Sequence, residues 1–104
     1  MIEIKVPSSI KVGGYDYIIE VSPEHDKELE DFDNWGEHSA RLKRIRIRSR
    51  CSEQQFSETF LHEILHAVDE VYNHHGLNNE IVSALSQGLF QVLEQLGIRF
   101  KKGE

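Results

Sequence analysis

The sequence predicts an α+β domain: a small antiparallel sheet of three or four strands packed on two antiparallel helices. Three observations lead there. Short stretches of alternating apolar and polar residues occupy the first half of the chain, within 2–6, 10–21 and 41–48. Two long stretches with helical periodicity occupy the second half, at 53–73 and from Asn78 or Asn79 to Leu96. Only a few residues separate those two stretches, which makes the helices antiparallel neighbours. A chain of 104 residues holds one domain, spanning 1–104.

Residues 2–6, Ile-Glu-Ile-Lys-Val, alternate as a half-buried strand does, and Pro7 ends it. Ile10 to Val12 and Tyr15 to Val21 flank Gly13-Gly14, a two-residue turn, and read as a β-hairpin. Residues 22–34 carry Pro23 and a dense set of acids, and read as a loop or a short irregular helix with a solvated acidic face. No spacing among those acids matches a calcium loop. In 41–48, Ile45 and Ile47 alternate with basic residues, so this is a strand with one wet face; Leu42 falls out of phase. Ser52 is a good N-cap with Gln55 three residues on, a capping box opening the first long helix. His74-His75-Gly76 ends that helix, with Gly76 as the expected left-handed terminator, and Gly97 ends the second. Residues 98–104 read as a short tail, frayed at its end.

Composition removes several classes of function. Apolar residues make up 38% of the chain and charged ones 29%, which suits a soluble globular domain with a modest core. A net charge of −6 argues against a general affinity for nucleic acid. The basic run Arg41, Lys43, Arg44, Arg46, Arg48, Arg50 lacks interleaved aromatics, and reads as a polar strand face or an edge strand guarded by charge. No apolar run approaches membrane-spanning length, and the N-terminal stretch lacks a signal-peptide pattern. Cys51, the single cysteine, rules out an internal disulfide framework and points to a reducing compartment, the cytoplasm.

The chemistry concentrates in Phe60-Leu61-His62-Glu63-Ile64-Leu65-His66-Ala67-Val68-Asp69. On a helix, residues four apart leave the same face one turn apart, so His62 and His66 can grip one metal ion. Glu63 is turned about 100° around the axis from His62. That is too far round for an easy third ligand and well placed to hold a water on the metal. Two histidines, a bound water and a glutamate base make the arrangement of a zinc hydrolase. Phe60, Leu61, Ile64, Leu65, Val68, Val71 and Tyr72 form one broad apolar side, with His62, His66 and Asp69 on the opposite edge.

A catalytic zinc site wants a third protein ligand. Candidates are Glu80, Asp69, His74 and His75. Glu80 opens the second helix, which the helical hairpin brings back beside the first. Glu80, Ala84 and Gly88 share one face, and small residues there allow close helix approach. We therefore expect Ala84 and Gly88 to face the first helix and the stripe Leu85, Leu89, Val92, Leu93, Leu96 to meet the rest of the core. Asp69 is expected to orient an imidazole or add charge to the site. His74 and His75, at the fraying end of the first helix, are expected to be solvated, with lining the cleft and steadying an oxyanion as the alternative for one of them. His25 and His38 have no spacing that singles them out.

His62-Glu63-Ile64-Leu65-His66-Ala67-Val68 followed by Asn79-Glu80-Ile81-Val82-Ser83 resembles the gluzincin metallopeptidases, and more narrowly the small phage and prophage metallopeptidases of the ImmA/IrrE type. The likeness runs from about Trp35 to Leu96. It implies a stripped-down zincin fold, zinc ligands His62, His66 and Glu80, and Glu63 as general base. Ala84 stands where the larger gluzincins carry an aspartate after the serine. The reading that follows is a zinc-dependent peptidase of a bacterial or phage-infected cytoplasm, acting on a peptide or protein. Its substrate would lie along an exposed edge at 42–48, where Arg46 and Arg48 would favour acidic peptides. The alternatives are a non-enzymatic, zinc-stabilised interaction module of phage or prophage origin and a structural protein without metal.

Overall fold

A computed structural model describes residues 1–103. It contains β1 (Ile2–Lys5), β2 (Ser9–Val12), β3 (Tyr15–Glu20), α1 (Pro23–Asp31), β4 (Gly36–Ser39), β5 (Arg44–Ile47), α2 (Glu53–Tyr72), α3 (Asn79–Gln95) and β6 (Ile98–Lys101). The α+β class holds, with one helix more than expected. No helix is long and apolar enough to cross a membrane.

The main sheet has the order β2-β3-β5-β4. β2 and β3 form the expected hairpin, closed by Gly13 at φ 61°. A side chain at Gly13 would meet both the strain of that conformation and Val71. β4 and β5 are antiparallel, but β3 and β5 are parallel, so the sheet is mixed rather than wholly antiparallel. The reason lies in 22–34. Ser22 caps α1 by accepting a hydrogen bond from Glu24 N–H, and Pro23 fills the first turn, where no N–H is needed. A helix in that connection supplies the long crossover a parallel pair requires.

The end of the chain also folds. Gly97, at φ 79°, ends α3 as expected and turns residues 98–101 into β6, which pairs in parallel with β1. Phe100 stacks against Phe60 at 5.0 Å, and its N–H donates to Ser57 Oγ at 3.0 Å. These contacts fix a segment that composition alone marks as frayed.

α2 is the central member. Phe56, Phe60 and Ala67 meet Val6, Val12, Tyr17, Ile19, Ile45 and Ile47 in one buried cluster. Burying each large aliphatic or aromatic side chain there is worth about 1.5–3 kcal/mol. Ser52 Oγ accepts from Gln55 N–H, as a capping box begins. The reciprocal half is absent, because the Gln55 amide donates to Thr59 Oγ1 instead. At the other end His74 and His75, not Gly76, take the left-handed conformation, at φ 52° and 58°.

α3 is rotated relative to expectation. Val82 and Ser86 are its buried residues, while Ala84 and Gly88 face open space. The stripe Leu85, Leu89, Val92, Leu96 is exposed. α3 lies outside α2, so no further layer exists for that stripe to meet.

The centre of the basic run is consumed internally. Arg46, 4% exposed, donates to Glu37 Oε1 at 3.0 Å and Glu28 Oε1 at 2.8 Å. The Arg48 guanidinium lies 4.3 Å from the Trp35 ring centre. The acids of 22–37 are partners of these cations, not merely a wet face. Among them Asp26 is fully buried. Burial alone would raise its carboxyl, but bonds from Ser49 N–H, Ser49 Oγ and Arg50 N–H, with the Arg50 charge, hold it below the usual range.

Replacing Asp26 by Ala should cost about 2–4 kcal/mol, because buried donors lose their acceptor. The wild-type contribution is present above the ordinary aspartate range and is lost as pH falls through the lowered folded-state value. Urea unfolding at descending pH checks this: Asp26→Asn should show a shallower acid loss than wild type.

Candidate metal centre

His62 and His66 leave α2 on the edge away from the sheet, in the cleft between β4 and α3. Their Nε2 atoms are 3.1 Å apart. His62, Glu63 and His66 each offer a ligand atom, all within 4.8 Å of one another, a group that can hold a metal ion. They form the floor of an open pocket of about 510 Å³, walled by Trp35, Gly36, Glu37 and His38 on one side and Asn79, Ser83 and Gln87 on the other.

Four contacts hold this floor in place. Ser86 Oγ lies 3.4 Å from His62 Nδ1 and also bonds the Ser83 carbonyl at 3.1 Å. A hydroxyl has one proton, and the carbonyl can only accept, so the serine proton goes to the carbonyl. The serine oxygen then accepts from His62 Nδ1–H, which leaves the Nε2 lone pair for the cleft. His66 Nε2 lies 3.1 Å from Asn79 Oδ1, at the first turn of α3. Asn78 caps that turn by accepting from Ile81 N–H.

Glu63 is 5% exposed and packs beneath β4 at Gly36. A methyl group on Gly36 would sit 2.7 Å from Thr59 Cγ2 and 3.1 Å from Glu63 Oε2, so only glycine permits this approach. Burial raises the Glu63 carboxyl to about 8, and the Glu37 charge adds to the rise. No hydrogen bond offsets that burial. A carboxylate left in this state suits a neighbouring cation.

His38 is the pocket residue that spacing could not reveal. Its ring is stacked 6.0 Å from that of His66, and its Nε2 lies 3.3 Å from Tyr17 Oη, a buried residue of β3. Burial lowers the His38 pKa, and the charge of His66 lowers it further. The only local signal was Gly36 two residues earlier, a glycine inside a strand where another element approaches closely.

The other expected residues fall outside the cluster. Glu80 is exposed, one residue beyond Asn79, and its carboxylate does not join the His62, Glu63, His66 group. Asp69 touches no imidazole. Its carboxylate accepts from Asn73 Nδ2 at 2.8 Å and Leu77 N–H at 3.2 Å, so it clamps the turn between α2 and α3. His74 and His75 are exposed at that turn and do not line the pocket; His75 pairs with Glu70 at 3.1 Å. The turn runs back to Asp69, which carries both histidines away from the cleft. His25 pairs with Glu20 beside α1.

No protein-family model, no curated protein and no solved structure matches the chain.

The raised Glu63 carboxyl binds its proton more tightly folded than unfolded. Its contribution to stability is therefore complete below the ordinary glutamate range and is lost as pH climbs towards 8. In a chelator, the stability difference between wild type and Glu63→Gln should shift by about 3 kcal/mol in favour of the variant from pH 5 to pH 8. Parallel urea-midpoint curves would show that Glu63 is not desolvated as described.

Proposed function

We propose that this protein is a zinc-dependent peptidase of the small phage and prophage metallopeptidase type. The observation that carries the proposal is the pairing of two facing imidazole nitrogens with a largely buried glutamate beside them. Two nitrogens on one tetrahedral zinc, at 2.0–2.1 Å each, stand about 3.3 Å apart. The 3.1 Å separation of the His62 and His66 nitrogens fits that spacing. His62 and His66 would hold the ion; the third ligand would come from the first turn of α3, where Asn79 Oδ1 lies 3.1 Å from His66 Nε2 and Glu80, outside the group as it stands, would have to turn its carboxylate inward. Zinc in this place would acidify a water and polarise a carbonyl.

The chain's own residues do the rest. Glu63 takes a proton at its carboxylate and returns it to the leaving amine. Gly36 and Thr59 shield that carboxylate from bulk water, and Ser86 holds His62 in the tautomer that faces the cleft. The substrate peptide pairs with the free edge of β4, not with residues 42–48, because β5 lies between β3 and β4 and has no free edge. Arg44 and Arg46 are turned onto Glu37, while Asp33 and Glu58 stand on the pocket rim. The cleft thus favours basic peptides over the acidic ones that the arginine run suggests. His38, on β4 itself and braced by Tyr17, binds the substrate from that same wall.

Metal analysis of the purified protein should find one zinc per chain. His62→Ala should abolish binding and its thermal stabilisation. Glu80→Ala should weaken zinc at least tenfold while Asn79→Ala changes it little; the reverse order would make Asn79 the ligand. Glu63→Gln should retain zinc and lose about 10²–10⁴-fold in hydrolysis of basic peptides. Zinc retained with no hydrolysis by wild type would favour a zinc-stabilised interaction module instead.

A further inference from the structure

We infer that the protein forms a two-fold symmetric dimer through the outer face of α3. The inference is independent of the metal centre, which opens on the other side: Asn79, Ser83 and Gln87 line the pocket, and Leu85, Leu89, Val92 and Leu96 lie roughly half a turn around α3 from them. These four residues are 48%, 45%, 52% and 67% exposed. Ile81 extends the stripe, and Val68 and Tyr72 flank it from α2, on the flank turned away from His62 and His66.

Area is the first argument. At roughly 150–200 Å² of accessible surface per large apolar residue, the exposed parts of these seven residues amount to about 550–700 Å² per copy. A standard stable interface buries about 800 Å² per partner, whereas an ordinary monomer leaves patches of about 300–600 Å².

The spacing of the four central residues suits a second copy as the occupant. The spacing 85-89-92-96 runs 4-3-4 and reads the same from either end. Laid antiparallel on itself about a two-fold axis, Leu85 faces the partner's Leu96 and Leu89 faces the partner's Val92. Each contact then occurs twice, as an isologous interface requires. The same spacing is the knobs-into-holes seam of paired helices. Charge does not oppose the pairing: residues 81–93 contain no Asp, Glu, Lys or Arg, in a chain that is 29% charged. Together, two α2-α3 hairpins would make a four-helix layer with a domain on either side and both clefts open to solvent.

Sedimentation velocity from low to high micromolar concentration, run with and without chelator, tests the inference. Wild type should sediment as a dimer in both. Leu89→Glu with Val92→Glu should raise the dimer Kd at least about a hundredfold, and an unchanged near-UV circular dichroism spectrum shows that the fold survives. In a Cys51→Ser background, Leu85→Cys with Leu96→Cys should give covalent dimers under mild oxidation. On one helix those positions are about 16 Å apart, so the bond must join two copies. Either single cysteine variant should remain uncrosslinked. A monomer at every concentration, or single variants that crosslink as readily as the pair, would overturn the inference and leave the stripe to a different partner.

Discussion

Everything in this molecule is arranged around the approach of β4 to α2 at Gly36. One helix must bury Phe56, Phe60 and Ala67 against the sheet and, less than half a turn away, keep two imidazoles at a cleft. Glu63 lies on the boundary between those demands, under Gly36 and 5% exposed. Because β4 has no side chain there, the sheet can close over the carboxylate without closing over the histidines. A bulkier residue would push β4 outward, and its displacement would carry His38 and Glu37 with it.

The position of β4 in turn depends on charge. β5 connects β4 to the rest of the sheet, and Arg46 at its centre is covered by α1, bound to Glu28 and Glu37. A buried guanidinium is tolerable only with its donors engaged. The acids of α1 and β4 meet that requirement, and Asp26 does the same for the turn after β5. An acidic segment and a basic strand that look like separate surface features are therefore one internal lattice. It ties the crossover helix to the wall of the cleft.

Most local signals in the sequence were faithful where the interaction is local, the Gly76 terminator and the second half of the Ser52 capping box being the exceptions. The Gly13-Gly14 hairpin, the Ser52 and Asn78 caps, the Gly97 terminator and the His62–His66 pairing all depend on residues within one turn of each other. What was not legible depends on which faces meet. The rotation of α3 is set by Val82 and Ser86 against α2, and the leucine stripe, judged by apolarity alone, competed for that place. The parallel β3-β5 pair follows from a crossover helix whose apolar content is slight. The pairing of β6 with β1 joins opposite ends of the chain. His38 reaches the site through sheet register, with His38 opposite Ile45 on β5, and no spacing along the chain encodes that.

The cost of Glu63 bears on why such a residue persists in a small domain. Held at about 8, it must be protonated at neutral pH in the metal-free fold, whereas the unfolded chain would ionise it. That difference removes about 3 kcal/mol of stability at pH 7 relative to acidic conditions. A domain of this size has a total of about 5–15 kcal/mol. Among the described residues no hydrogen bond to Glu63 offsets that burden. A cation between the two Nε2 atoms would reverse it, allowing Glu63 to ionise and linking the stability of the fold to occupancy of the cleft. On this argument the metal-free molecule is the strained state, and the strain sits on the one side chain proposed to move the proton.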